Sequence, residues 1–408
     1  MPFQLPYNVC AMAATHTAPE KPHANPNERY VPPKSGRKPS AARGFWQRVT
    51  EGLEMHVLWA QFQSEARASY GLISQDVDWK AIEGQTGWRR YWKIAQAFFW
   101  ALFMKLPPAR RVLFLVALAL LMIGNIRWTF EGGSTQINLG GVGVLALIFV
   151  LVLELTDRVT MKRDLEIARE IQRWLVPAKP PEVPGADIAF ATRPANTVAG
   201  DYYDVFYRTA DAAAPGEPRL LLVVADVAGK SVPAALLMAT FQASLQTLSA
   251  ARTSLAELVA GLNRYACAHS LGGLRFTTAF IAEIDPATRA LSYICAGHNA
   301  PVLRHVAGGV ERLDAGGLPF GIDAQAPYSL GRAQLSRGDL LVIFTDGLVE
   351  AINVNGEEYG EGRLLEMLNT VPGESAAETQ RFIMQSVDAF VGATRQHDDI
   401  TCLFLRAV

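Results

Sequence analysis

Three apolar runs in this chain carry aspartate at one end. "LLLVVADVAG" (220–229) carries Asp226 near its end, "LLVIFTDG" (340–347) carries Asp346 before its last residue, and in "HDDITCLFL" (397–405) Asp398 and Asp399 stand just before the apolar run. A further aspartate, Asp201, stands in "AGDYYDVF" (199–206). Taken singly, each reads as a turn former at a strand end. Taken together they pose an electrostatic problem, because ionised carboxylates gather in a partly dry place only around a strong counter-charge. The donor set they form is carboxylate oxygen, which suits a hard cation, Mg²⁺ or Mn²⁺. Two such ions lower the pKa of a bridging water and hold phosphate oxygens for in-line attack. A structural Ca²⁺ site built from the same carboxylates would instead give metal-dependent melting without turnover.

These aspartates converge only if the strands that carry them are neighbours. From about 187 to 408 the chain alternates β-type runs ("DIAFATRP", "RLLLVVADV", "TTAFIAEID", "ALSYICAG", "DLLVIFTDG", "ITCLFLRAV") with helical stretches such as "VPAALLMATFQASLQTLSA" and "SAAETQRFIMQSVDAFVG". Short turns between successive strands predict antiparallel sheets with helices packed outside, an α+β sandwich. No GxxxxGK[ST] loop occurs, so nucleotide hydrolysis through that device is unsupported.

Composition narrows the classes further. The 408-residue chain has a formal net charge of -1, which argues against a nucleic-acid partner. Its four cysteines are scattered, with no metal-ligand spacing. Residues 1–44, rich in Pro, Ala, Lys and Arg, read as a disordered tail, and 45–111 as aromatic, basic helices at a membrane surface or in a small bundle. Two apolar segments, about 112–130 and 137–155, predict a transmembrane hairpin, with Gly140, Gly141 and Gly143 allowing close helix approach. Arg110 and Arg111 before it, and Arg158, Lys162 and Arg163 after it, place both termini and the C-terminal domain in the cytoplasm of a multi-pass inner-membrane protein. The stretch 156–180 then reads as a linker or signalling helix. Its Leu165, Ala168, Ile171 and Leu175 offer a contact surface, either to a second chain as a homodimer or to the chain's own domain.

The motifs "LEIAREIQRWLVP", "AGDYYDVF", "ADVAGKSVPAALLMA", "RFTTAFIAEID", "AGHNAP", "GLPFGI", "LLVIFTDGLVEAIN", "YGEGRL" and "DDITCLFLR" occur in an order and spacing that resembles the SpoIIE/RsbU branch of metal-dependent PPM serine/threonine protein phosphatases. The resemblance spans about 164–408, with the phosphatase domain placed at 181–408. It implies an αββα sandwich of two antiparallel sheets flanked by helices, with two Mn²⁺ or Mg²⁺ ions, acting on phosphoserine or phosphothreonine. By resemblance Asp226 bridges both ions, the Val227 carbonyl is a ligand, Asp346 and Asp398 complete the set with Asp399 beside them, and Asp201 holds water. Asp201, Asp226 and Asp346 are the catalytic candidates, and Arg193 and Lys230 the phosphate-binding ones. The implied substrate is a phosphorylated STAS-domain protein, an anti-anti-sigma regulator of a bacterial partner-switching pathway. The alternative is a pseudophosphatase that keeps the sandwich as a membrane-tethered binding module. Two positions depart from the family pattern. Ser231 stands where many relatives have Gly, and Ala228 stands where the wider family often has a histidine, the proposed general acid; His298 reads as structural.

Overall fold

The computed structural model describes residues 88–130, 133–208, 218–269, 275–371 and 375–408. The expected tail (1–44) and residues 45–87 of the adjoining region lie outside the described residues. Two compact units emerge, Met1–Leu115 and Val116–Val408. Helix α1 (Trp88–Lys105) lies in the first, and the boundary falls within the next helix, α2 (Pro108–Ile123). Proline at the first position of α2 is favourable, because its missing N–H would have no partner there. Arg111 reaches back to the carbonyls of Met104 and Leu106, acceptors that the end of α1 leaves unpaired. Phe103 lies 6.0 Å from both Phe99 and Phe114, ring centroid to centroid.

The expected two-helix membrane hairpin is not what forms. Helix α2 has 16 residues, about 24 Å at 1.5 Å per residue, and falls short of the bilayer core. Gly124 ends it with φ +67°. Residues 125–138, the last six residues of the expected first span, its loop and the first two of the second, hold an antiparallel ribbon of β1 (Asn125–Phe130) and β2 (Gly133–Asn138). A left-handed glycine followed by β-branched Ile126 and Thr129 turns the chain towards extended structure. The second segment and the signalling helix are continuous as α3 (Leu139–Leu175, 37 residues), about 56 Å long. Asn138 caps it by accepting from the Gly141 N–H at 2.6 Å. Among the described residues, α3 is the one helix long and apolar enough to cross a membrane. Gly143 does permit close approach: a Cβ there would stand 2.7 Å from the Ala117 carbonyl of α2. Gly140 and Gly141 belong to the cap instead.

Beyond α3 the chain builds two sheets. The first holds β4 (Tyr202–Arg208), β5 (Arg219–Val227), β6 (Thr277–Ile284) and β7 (Ala290–Ala296) in antiparallel order, with β10 (Gly316–Gly317) and β11 (Gly331–Gln334) along the outer edge of β7. The second runs β3 (Ala186–Arg193), β13 (Ile400–Ala407), β12 (Leu340–Phe344), β8 (Val302–Arg304) and β9 (Val310–Arg312). Side chains alternate faces along a strand, and each sheet is apolar on both. Leu220, Leu222 and Val224 of β5 meet Leu341, Ile343, Leu403 and Leu405 between the sheets. Leu221, Val223 and Ala225 face the helix pair α4 (Ser231–Ser249) and α5 (Leu255–His269). Val342, Phe344, Cys402 and Phe404 face α7 (Gly360–Thr370) and α8 (Ala376–Val391), which follow the single-turn α6 (Asp346–Val349). The layers are helix, sheet, sheet, helix, as the resemblance implied.

Candidate metal centre

Strand parity aims the carboxylates. In β5 the residues 220, 222 and 224 point between the sheets, so Asp226 does too, at the last pleat before the interior ends. Tyr203 and Val205 of β4 share that face, which puts Asp201 on it one pleat earlier. In β13 Leu403 and Leu405 are inward, and so is Asp399 just before the strand. Register brings these ends together: Tyr202 pairs with Ala225, and Phe344 pairs with Cys402. Asp346 starts α6 directly after β12. The five aspartates named from sequence therefore share one end of the sandwich.

Their protonation reflects the crowding. Burial, then Asp346, Asp398 and Asp399, pushes the Asp226 carboxyl up to about 7. Asp201 is pushed well above the carboxylate range by burial and by Asp226 and Asp399, against the opposing hydrogen bonds of Thr401 and Thr345. Burial and Asp398 raise Asp346, with Lys230 opposing. Burial also raises Asp399, whose two oxygens accept from the Ala195 N–H at 2.7 Å and the Gly200 N–H at 2.6 Å. Such a set of hard oxygen donors, each destabilised by its neighbours' charge, fits a divalent cation. Among the described residues, no three acidic, histidine or cysteine side chains yet stand close enough to form a ready-made cage. The Lys230 ammonium lies 2.8 Å from Asp398.

The glycines around the site make room. A Cβ at Gly347 would stand 2.0 Å from the Asp399 carbonyl oxygen, so α6 could not approach β13 with any side chain there. At Gly200 it would stand 3.2 Å from the Val227 carbonyl oxygen. Clefts of about 160 Å³, beside Lys230, Gly347, Glu350 and Asp398, and of about 140 Å³, beside Asp201, open at this end.

The two phosphate candidates are engaged. Arg193 pairs with Asp388 at 2.6 Å, and Lys230 also donates to the His397 carbonyl at 2.7 Å. His298 is buried with Nδ1 3.0 Å from the Thr278 hydroxyl, and burial pushes its pKa down to about 4. An imidazole that is neutral at pH 7 has no proton of an acid to give, which agrees with a structural reading. Sequence reasoning missed Thr345 and Thr401. The Thr345 hydroxyl donates to Asp201 Oδ2 at 2.9 Å and accepts from the Thr401 N–H at 2.9 Å. Their signal was parity: each lies inward beside a named aspartate. Of the signalling-helix positions, Leu165, Ala168 and Leu175 are partly covered, whereas Ile171 is exposed together with Ile167 and Trp174.

Residues 216–408 match the family model of stage II sporulation protein E (SpoIIE). The chain is 27% identical over 249 residues to phosphoserine phosphatase RsbU of Bacillus subtilis, covering 60% of this chain and 70% of that protein. It is 26% identical over 266 residues to protein IcfG of Synechocystis, covering 59% of this chain but only 41% of IcfG, so it spans less than half of that relative. The SiaA-PP2C domain of Pseudomonas aeruginosa superposes with a TM-score of 0.53 at 21% identity, over 61% of this chain and 98% of that one. That likeness establishes the fold. Residues 216–408 thus match the SpoIIE family model and lie within the fold of a PP2C domain, with the strand-end aspartates gathered at one end of that sandwich.

Proposed function

We propose that this chain is a metal-dependent protein phosphatase that hydrolyses phosphoserine or phosphothreonine. The observation that carries the reading is the convergence of Asp201, Asp226, Asp346, Asp398 and Asp399, with the Asp226 carboxyl driven to about 7 by its neighbours. Asp226, Asp346, Asp398 and the Val227 carbonyl would hold two Mn²⁺ or Mg²⁺ ions, with Asp399 beside them. Such ions supply an acidified water and the positive charge that phosphate oxygens need. The chain's own residues do the rest. Asp201, with Oδ2 fixed by Thr345, offers Oδ1 to orient the attacking water and take up its hydrogen bond. Lys230, 54% exposed, is long enough to leave Asp398 and meet an incoming phosphate. With Ala228 in place of the usual histidine and His298 neutral, the leaving serine oxygen takes its proton from solvent.

The substrate we assign by family resemblance is a phosphorylated STAS-domain regulator of a partner-switching pathway. RsbU, the relative named above, is a phosphoserine phosphatase. We further assign the apolar N-terminal half of α3 to the membrane: Leu145, Phe149 and Leu151 are each more than half exposed, which suits lipid contact. A homodimer through the exposed Ile167, Ile171 and Trp174 face completes the reading.

The purified full chain should release phosphate from a phosphoserine peptide in Mn²⁺, stop in EDTA and recover on Mn²⁺ addition. Asp226→Asn and Asp346→Asn should each lose at least about 100-fold in turnover while melting no lower than the wild type without metal, because each removes a repelling charge. Most of the activity surviving in either variant would sink the reading. Phosphorylated STAS proteins from the same cell should be hydrolysed faster than the generic peptide.

A further inference from the structure

We infer that Gln172 is a positioning residue for the metal centre, acting through the loop that holds Asp399; the inference rests on the phosphatase reading above. Gln172 lies one turn before the end of α3. Its Nε2 donates to the Ala199 carbonyl at 2.9 Å, and its Oε1 accepts from the Ala199 N–H at 3.1 Å. One side-chain amide thus grips both polar groups of one residue, as a paired strand would. Such a two-point bond fixes position and rotation together, which a single hydrogen bond does not.

What the grip holds is the backbone that defines the carboxylates. The residue after Ala199 is Gly200, whose N–H donates to Asp399 Oδ2, and Ala195 at the other end of the same loop donates to Asp399 Oδ1. Gly200 also faces the Val227 carbonyl with no room to spare for a side chain, and Asp201 follows it. A displacement of Ala199 is therefore felt at Asp399, Val227 and Asp201 at once. The cleft of about 140 Å³ lies on the α3 side of the loop, bounded by Gln172, Val176, Ala199, Asp201 and Met238. Gln172 bridges this gap, so the last turns of α3 set where the inner carboxylates stand.

A helix-to-domain staple with no role at the metal would make the same two hydrogen bonds, and the test must separate the two. The full chain is compared as wild type, Gln172→Met and Glu170→Ala. Methionine matches glutamine in length and volume but cannot make either bond, and Glu170 is an exposed neighbour on the same helix. Mn²⁺ half-saturation is read twice, from turnover and from the Mn²⁺-dependent rise in melting temperature, the second independent of catalysis. Gln172→Met should raise both half-saturation values about 10-fold or more, with turnover at saturating Mn²⁺ within a few-fold of wild type. Its metal-free melting temperature should fall little, and Glu170→Ala should match wild type throughout. A Gln172→Met protein with wild-type half-saturation overturns the inference, whether or not its metal-free stability has dropped. A wild type with neither Mn²⁺ response overturns the phosphatase reading, and the inference with it.

Discussion

Asp201 and Asp399 are oriented by the protein itself. The Thr345 hydroxyl and the Ala195 and Gly200 amides aim their oxygens, so a bound ion would meet two carboxylates that are already placed. Asp398 is held in turn by the Asp399 N–H at 2.9 Å and by the Lys230 ammonium at 2.8 Å. The aspartates were legible in the sequence because strand ends are marked by composition. The threonines were not, because a hydroxyl inside an apolar run looks like any β-branched residue until its face is known. Ser231 is the departure with a measurable cost. It adopts φ +65°, a left-handed conformation at the entry to α4, which costs a residue with a Cβ about 1–2 kcal/mol. Glycine there would regain that but release about 0.4–1 kcal/mol of unfolded-chain entropy. Ser231→Gly should therefore stabilise the fold by about 0.5–1 kcal/mol, with turnover near wild type. Urea denaturation measures the first, and a variant less stable than wild type would mean that the serine side chain contributes something unseen here.

At the scale of elements, the turn after β8 shows how one buried carboxylate organises a connection. Asp339, 1% exposed, accepts from the Val306 and Ser336 N–H groups and from His305 Nδ1 at 3.0 Å. Burial pushes its pKa up, but those three bonds outweigh it and hold Asp339 below the usual range. His305 is raised by its hydrogen bond to Asp339, with Asp339 and Glu311 charges adding to it. A histidine whose folded pKa exceeds its unfolded value near 6.5 stabilises the fold below that pH and loses the contribution as pH rises through the folded pKa. His305→Gln keeps a neutral donor without the titration. The wild type should hence melt higher than His305→Gln at pH 6, and the gap should close by about pH 8.5. A gap independent of pH would mean that the imidazole packs rather than pairs.

At the scale of the whole molecule, α3 is the element that links regions. It begins at an Asn cap, crosses an apolar half and ends against the catalytic sandwich without a flexible break. Its C-terminal half shows two faces. Leu165, Ala168 and Leu175 turn partly inward, while Ile167, Ile171 and Trp174, spaced four and three apart, are 48%, 50% and 78% exposed. An exposed apolar stripe at helical spacing suits a second helix of the same kind. The full chain should lose self-association on Ile171→Glu, read by sedimentation, while Leu165→Glu should act on melting temperature instead. If pairing and turnover are coupled, about 1–3 kcal/mol suffices to change activity 5- to 150-fold. An unchanged sedimentation profile for Ile171→Glu would make that face a lipid or solvent surface and not a dimer contact.

The sequence by itself determined the chemistry and the layers. Carboxylates at the ends of apolar strands and short turns between strands are local facts, and local facts suffice to propose a hard-cation site on an antiparallel sandwich. Tertiary structure decided what depends on distance between remote residues. Whether 125–138 continues a helix or folds back as a ribbon was settled by a left-handed glycine and by cross-strand pairing, neither of which hydropathy registers. Arg193 and Lys230, phosphate-binding candidates in the sequence, stand against Asp388 and Asp398 in the fold. Gln172 stands in a motif that carries the resemblance, but its partner, the backbone of Ala199, lies 27 residues along the chain. Composition and periodicity report what each segment prefers alone; the partner of a polar side chain is a property of the packed molecule.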